Sequence, residues 1–218
     1  MEAASATPPV RRTRRSARTR ERILGAAVDV FARHGFHGAR VADIAEEAGI
    51  AYGLVYHHFR NKDEILAAIF SERWARYMRW LDEVAAASAP FADKLRRILH
   101  FLVDAYRHEP ALMTVMINEV SRSYEFLESH DVGTVFMAFD SVGRIVEDAR
   151  RSGEIRADVD AEVVAAAILG AAEMVLTGYV MGRLRRDGRE AYAADEAQLV
   201  GLLLSGLQPP AAERGPGT

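Results

Sequence analysis

Apolar side chains recur every three or four residues along most of this chain, which is the spacing of one face of an α-helix. No run alternates apolar and polar residues between turn dipeptides, as a half-buried strand does. No segment of roughly 20 to 50 residues repeats itself. The periodicity therefore predicts an all-α fold of about nine helices, with glycine and proline marking several of the helix ends.

The composition narrows the class of protein further. The chain has 218 residues, of which 50% are hydrophobic and 27% are charged, enough to bury a sizeable core. It has no cysteine, which excludes a disulfide-stapled secreted module and a thiolate metal site. The sequence has no long apolar segment without charges, so we expect no membrane partner. The N-terminus lacks the apolar core of a signal peptide. We therefore expect a cytoplasmic protein.

The charge is unevenly distributed along the chain. The net charge is −3. Residues 1–60 contain ten arginines against six acidic residues, a net charge of +4, and the rest contains 18 basic against 25 acidic residues, a net charge of −7. This asymmetry indicates that the N-terminal part meets a polyanion.

The predicted helices are separated by short breaks. They cover residues 19–34, 41–48, 51–58, 62–87, 91–106, 111–120, 132–149, 160–186 and 196–207. Thr19 is the expected N-cap of the first helix and Asn61 that of the fourth. A domain boundary is expected inside the helix that begins at Lys62, so that no loop joins the two parts.

The last two predicted helices are apolar on most of their faces, so they need a cover on two sides. A second subunit and burial within the monomer are the two alternatives, and we favour a homodimer. The predicted dimer interface consists of Val164, Ile168, Ala171, Val175, Leu199, Leu202 and Leu203.

The segment from Arg40 to Lys62 is the most informative. It predicts two short helices that meet at a tight turn around Gly49, packed on the first helix through a small core. That core comprises Ile44, Ala45, Ala48, Ile50, Val55 and Phe59. This is a helix-turn-helix pattern, whose second helix can enter the DNA major groove, about 12 Å wide.

Residues from about Thr19 to Leu66 resemble the N-terminal domain of the tetracycline-repressor (TetR) family of bacterial transcription regulators. The resemblance rests on Ile23, Ala26, Ala27, Phe31, Gly35, Phe36, Val41, Ile44, Ala45, Ala48, Gly49, Val55, Tyr56, Phe59, Lys62, Glu64 and Leu66. It implies a helix-turn-helix DNA-binding domain over 19–66 and a ligand-binding and dimerisation domain over 67–207. A disordered basic arm over 1–18 and a flexible tail over 208–218 complete the expected organisation.

The resemblance also implies roles for single residues. Tyr56 and Lys62 would contact phosphates, and Gly53 would let the helix backbone approach the DNA. The arm would follow phosphates or enter the minor groove, although a solvated tail is the alternative. The full implied DNA-binding set is Arg14, Arg15, Arg18, Arg40, Val41, Ala51, Tyr52, Gly53, Leu54, Tyr56, His57 and Lys62.

Two positions depart from the usual pattern of that family. Arg40 stands where a capping Thr or Ser is usual, and Ala51 and Tyr52 stand where Ser and then a basic or polar residue are frequent. The cap and a phosphate donor are lost, which costs about 1 kcal/mol for the cap. The operator sequence therefore cannot be carried over from relatives that differ here.

An effector pocket is expected between the middle helices, with an ordinary filled core as the alternative. Its predicted lining is Leu99, Val103, Met113, Met116, Asn118, Arg122, Phe136, Phe139, Glu173 and Met174. Residues 152–156 and 168–181 are similar to the matching stretch of TetR-type regulators of fatty-acid degradation that respond to acyl-CoA. This resemblance implies an acyl-CoA effector, and drug-like, steroid-like and aromatic effectors stay open.

The sequence thus predicts a repressor that binds a palindromic double-stranded DNA operator as a homodimer and is released by a small apolar or amphipathic effector. We expect no cofactor other than that effector, no metal site and no catalytic residue, because no convergent acid, base or ligand set is visible. An all-helical enzyme and an interaction module that keeps the fold without binding DNA are the alternatives. The expected location is the bacterial cytoplasm, on the nucleoid when DNA-bound.

Overall fold

The computed structural model describes residues 9–120, 133–184 and 187–209. In these ranges all regular structure is helical, as the periodicity predicts. The nine helices described there are α1 (Pro9–Gly38), α2 (Val41–Glu47), α3 (Tyr52–His58), α4 (Lys62–Ala86), α5 (Phe91–His108), α6 (Pro110–Val120), α7 (Gly133–Ser152), α8 (Ala161–Val180) and α9 (Arg189–Leu207).

The chain divides into two compact units, Met1–Glu72 and Arg73–Thr218. The boundary lies inside α4, where the sequence places it, although six residues beyond the expected end of the first domain at Leu66. α9 ends at Leu207, where the flexible tail is expected to begin, and most of that tail lies outside the described residues.

Capping side chains and glycines set several helix ends. Asn61 Oδ1 accepts a hydrogen bond from the Glu64 amide at 2.8 Å, which confirms the predicted cap of α4. Asp160 caps α8 in the same way, accepting from the amides of Glu162 and Val163. Gly49 has a φ of 61°, which a side chain would strain, and so allows the turn between α2 and α3.

The first helix begins ten residues before the expected start at Thr19, so a disordered arm over 1–18 is wrong for residues 9–18. Thr19 is not a cap but an internal residue, whose Oγ1 donates to the Arg15 carbonyl at 3.0 Å. Pro9 is tolerated in a first turn, and arginine is a good helix former. Repulsion between arginines one turn apart costs only about 0.2–0.5 kcal/mol a pair, which is too little to unfold the segment.

The last two helices also have shifted bounds. α8 ends at Val180, six residues before the expected end, because the backbone turns at Gly182 with a φ of 66°. α9 begins at Arg189, seven residues before the expected start at Glu196.

Each unit has its own apolar core. In the first, α1 packs on the α2–α3 pair through Ile23, Ala27, Phe31, Ile44, Ala45, Ala48, Val55 and Phe59, all buried. The predicted small core is therefore confirmed except at Ile50, which is half-buried. In the second unit α5, α7 and α8 surround Leu95, Ile98, Leu99, Val142, Val146, Ala165 and Ile168.

α8 has two apolar faces, and only one of them is covered inside the subunit. Val164 and Ile168, predicted at the dimer interface, are buried in the subunit core, so they do not face a partner. Ala171, Val175, Leu199 and Leu203 are half-buried against the same subunit. Leu202, by contrast, is 71% exposed.

The uncovered face of α8 is displaced by about one residue from the predicted one. It consists of Val163, Ala166, Ala167, Gly170 and Met174, with Val163 67% and Met174 69% exposed. α8 is also the one helix in the described ranges that is long and apolar enough to cross a membrane. A helix covered by protein on both faces passes the same test.

Candidate functional site

The helix-turn-helix is held at its turn by an arginine from the first helix. The Arg22 guanidinium donates to the carbonyls of Ala48 and Gly49, the two residues at which the chain leaves α2. These contacts and the buried Val55 and Phe59 fix the orientation of α3 on the first unit.

The opposite face of α3 is exposed. Tyr52 is 53%, Leu54 38% and Tyr56 45% accessible to solvent. Ala51, Gly53 and His57 are exposed as well, so the structure brings together the predicted recognition residues on one accessible helix. Gly53 has no neighbouring atom where a Cβ would lie, so its side is open to close approach.

Tyr52 and Tyr56 form a pair on this face. Their hydroxyl oxygens lie 3.0 Å apart, and their rings meet edge to face with centroids 5.1 Å apart. The hydrogen bond that Tyr56 shares with Tyr52 raises the pKa of the Tyr56 hydroxyl, so the phenol stays neutral at neutral pH. The pair has two hydroxyl protons and uses one of them between its oxygens, so the other proton can be donated to a phosphate oxygen.

Lys62 has a different set of partners from the one its resemblance implies. Its Nζ donates to the carbonyl oxygens of Phe36 at 2.8 Å, His37 at 3.2 Å and Ala39 at 3.3 Å. The ammonium also lies 4.6 Å from the centre of the Phe36 ring. All three of its protons serve carbonyls that the break at Gly35 leaves unpaired, so the ammonium has no donor left over for a phosphate.

Arg40 precedes α2 as its N-cap and cannot accept a hydrogen bond there, as expected. Instead the Asp43 carboxylate accepts from the Arg40 amide at 3.0 Å. The exposed Arg40 guanidinium forms no hydrogen bond or ion pair with any residue that the structure describes, so it is available to a ligand. Val41, which follows it, is half-buried.

The N-terminal arginines form two groups. Arg14, Arg15 and Arg18 are exposed on the early turns of α1. Arg20 and Arg33, in contrast, form ion pairs with Glu72 and Glu47. The Arg20 guanidinium also lies 5.2 Å from the centre of the Phe59 ring. Three of the ten arginines in residues 1–60, Arg20, Arg22 and Arg33, therefore make contacts within the unit, a use that the charge count alone could not separate from DNA binding.

The residues of the predicted effector pocket lie in several different environments. Leu99 belongs to the main core, and Phe139, Glu173 and Met174 are exposed. Met113, Met116 and Asn118 are half-buried on α6. Arg122 and the side chain of Phe136 lie outside the described residues.

Val103 of the predicted set lines a cavity between α5 and α9. Its other lining includes Arg107, Arg189 and Tyr192. Sequence reasoning missed these residues because α5 and α9 are far apart along the chain and no local motif links them.

Two short helices joined at a glycine turn, the second presenting an exposed aromatic face, define a helix-turn-helix DNA-binding protein. Residues 23–69 match the family described as "Bacterial regulatory proteins, tetR family". Residues 92–187 match "Tetracyclin repressor-like, C-terminal domain". The chain belongs to the tetR family and is a DNA-binding transcriptional regulator, which confirms the resemblance seen in the sequence.

Two curated relatives show which members it resembles. The fatty acid metabolism regulator protein of Bacillus subtilis is 27% identical over 199 residues, which is 85% of this chain and 93% of that protein. The transcriptional repressor KstR2 of Mycolicibacterium smegmatis is 27% identical over 154 residues, 66% of this chain and 71% of that protein.

Solved structures agree with the sequence relatives. FadR of Bacillus subtilis in complex with stearoyl-CoA has a TM-score of 0.75 and 26% identity, covering 86% of this chain and 99% of that one. FadR of Bacillus halodurans has a TM-score of 0.77 and 23% identity, covering 93% and 98%, and supports the fold.

Proposed function

We propose that the protein is a repressor that binds a palindromic operator as a homodimer, and that an acyl-CoA or similar amphipathic effector releases it. The observation that carries the DNA part is the exposed face of α3 on a buried helix-turn-helix core. Tyr52 and Leu54 lack a bidentate donor and would contact thymine methyl groups, whereas Tyr56 would donate to a phosphate.

The uncovered face of α8 supports the dimer. Val163 and Met174 are large apolar residues in water, and Ala166, Ala167 and Gly170 between them allow a second helix to approach closely. Two copies related by a two-fold axis would place their α3 helices in major grooves about 34 Å apart or a multiple of it. The operator would then be palindromic.

The similarity to acyl-CoA regulators supports the effector class. The structure of FadR of Bacillus subtilis contains stearoyl-CoA, and the match covers 86% of this protein's chain. Met113 packs against a buried apolar cluster of Ile117, Leu176 and Tyr179, and its flexible side chain would adapt to a long acyl tail. Such a ligand releases the protein only if its affinity for the conformation that does not fit DNA is higher than its affinity for the conformation that does. The helix α4 is the continuous element between the two units.

Selection of operators from random DNA duplexes, followed by binding titrations, tests this function. We expect a palindromic consensus and a loss of binding when stearoyl-CoA is added, with free CoA as the control. Tyr56→Phe should weaken binding to the selected operator. If no sequence is enriched, an interaction module that does not bind DNA is the better interpretation. An enzyme would be established by substrate turnover that is lost when a pocket residue is substituted.

A further inference from the structure

The second unit contains a groove that the proposed function does not use. It lies between α5 and α9, with a volume of about 460 Å³, which is within the range of small-molecule sites. Three arginines line it, and so do three aliphatic side chains; these six are Arg96, Arg107, Arg189, Val103, Val200 and Leu204.

Two contacts across the groove fix the register of its walls. His100 Nδ1 lies 2.9 Å from Glu196 Oε2, and the Tyr106 and Tyr192 ring centroids lie 6.2 Å apart. Residue numbers that rise along α5 thus fall along α9, so the helices are antiparallel. This register places Arg107 level with Arg189 at one end of the groove.

The carboxylates in the groove already have partners. Asp104 accepts from Arg107 at 2.6 Å and lies 3.2 Å from His108, and Glu196 is held by His100. Arg189 is exposed and forms no ion pair or hydrogen bond with any described residue. Its charge is therefore available to a ligand. The Arg107 guanidinium gives a bond from Nη1 to Asp104 and has further N–H groups that can donate to the same ligand.

The rest of the lining is apolar or small. Val103 and Val200 are buried at the base, and Ala197 and Gly201 leave room above them. A purely apolar ligand would leave the guanidiniums poorly solvated, and a bare inorganic anion would leave the aliphatic surface uncovered. The groove suits a molecule that has both an anionic group and an apolar body.

We propose that this groove is a second ligand site, which binds a small organic anion with a carboxylate or phosphate group on a short apolar chain. The anionic group lies between Arg107 and Arg189, where guanidinium geometry matches both groups. The apolar chain lies over Val103 and Val200. The site is separate from the acyl-CoA function and stands without it.

Calorimetric titration of the full chain with hexanoate and with hexyl phosphate tests the site. We expect both to bind, and hexanamide, which keeps the apolar chain without the charge, to bind at least tenfold more weakly. The stronger of the two anions identifies the head group. Absence of binding by either anion at millimolar concentration, or equal binding of hexanamide, overturns the proposal.

Two variants locate the binding. Arg189→Gln removes an exposed charge that has no partner among the described residues and should weaken anion binding at least tenfold, whereas Arg97→Gln, an exposed arginine of α5 outside the groove, should leave it unchanged. Gly201→Leu fills the groove, and a Cβ there meets no atom within 4 Å, so the variant should fold but bind neither anion. Wild-type affinity in both Arg189→Gln and Gly201→Leu would contradict the proposal.

These results are independent of the proposed function. Operator binding and the stearoyl-CoA response are measured with other ligands, so either can fail while hexanoate or hexyl phosphate still binds, and the reverse also holds.

Discussion

At the scale of the residue, the Tyr52–Tyr56 pair is the part of the recognition surface with the best-defined geometry. The 3.0 Å hydroxyl contact holds the Tyr56 ring before any DNA arrives. Part of the entropy cost of ordering that side chain is therefore met in the free protein.

Substitution of either tyrosine by phenylalanine tests this pair. Tyr56→Phe should weaken operator binding by about 1–2 kcal/mol because it removes a donor to a phosphate, and Tyr52→Phe should weaken it less because it only removes the support. The double variant should lose no more than Tyr56→Phe alone, since both changes act on one contact. Fluorescence anisotropy with the selected operator measures all three, with Tyr192→Phe as the control; additive losses would show that Tyr52 acts independently.

The buried Tyr77 affects the stability of the protein. The Tyr77 hydroxyl is buried and has no hydrogen-bond partner among the residues that the structure describes, and burial raises the pKa of this phenol. A buried polar group without a partner costs about 1–3 kcal/mol, and the ring itself packs against Trp74, Trp80 and Phe101.

Tyr77→Phe should therefore raise the free energy of unfolding by about 1 kcal/mol, because the ring contacts stay and the unpaired hydroxyl is removed. Urea denaturation measures this. Tyr179→Phe is the matched control, because its hydroxyl donates to Asp195 at 2.9 Å and its removal should destabilise the protein. A lower stability of Tyr77→Phe would show that the hydroxyl has a partner in solution.

Among the helices, both lysines of the chain donate hydrogen bonds to carbonyls at the end of a neighbouring helix. Lys62 at the start of α4 serves carbonyls beyond the break in α1, and Lys94 on α5 donates to the Ala85 carbonyl at the end of α4 at 2.8 Å. The last carbonyls of a helix have no partner within it, so each ammonium satisfies groups that would otherwise depend on water.

Lys62→Met keeps much of the aliphatic stem and removes the donors, so we expect a loss of about 1–3 kcal/mol in the free energy of unfolding. Lys62→Arg should recover part of it, because a guanidinium keeps donors in the same region. Denaturant titration followed by circular dichroism measures the change. Wild-type stability in Lys62→Met would indicate that these carbonyls are equally well solvated by water.

A second test asks whether the arginines in the early turns of α1 contact DNA phosphates. Replacing Arg14, Arg15 and Arg18 by Gln keeps good helix formers and removes three exposed charges. The slope of log affinity against log salt should fall by about 0.9 for each phosphate that the variant no longer neutralises. The same change at Arg76, Arg79 and Arg97 is the control, and an equal effect of both triple variants would show only a general charge effect.

The elements that the sequence predicted well depend on local signals. The α2–α3 turn follows from Gly49 and from the spacing of Val55 and Phe59, and the α4 cap follows from Asn61. The start of α1 does not follow from the charge pattern, because helix propensity outweighs arginine repulsion that costs only tenths of a kcal/mol a pair.

At the scale of the whole molecule, the remaining differences arise from contacts between distant segments. A helix that is apolar on two faces does not reveal in its sequence which face its own subunit covers. The sequence therefore places Val164 and Ile168 at the proposed interface, whereas Val163 and Met174 are the exposed residues. The partners of Lys62, and the cavity that Arg107 and Arg189 both line, likewise exist only once the helices pack.

The assembly itself can be tested on the uncovered face of α8. Ala167→Arg places a charge on that face and should convert the proposed dimer to a monomer and abolish operator binding, because a lone α3 loses the second half-site. Ala86→Arg, at an exposed alanine at the end of α4, is the matched control. Analytical ultracentrifugation gives the molecular mass, and an intact Ala167→Arg dimer would place the interface elsewhere.

Because both lysines donate to carbonyls at helix ends, lysine-directed chemical labelling depends on whether those ends are closed. Every other fixed positive side chain is an arginine, which amine-selective acylating and cross-linking reagents do not modify. Lys94 is buried and Lys62 has all three protons engaged, so both react slowly while the helix ends are closed. Lysine modification in this protein would therefore record the opening of α1 and α4 rather than map the surface.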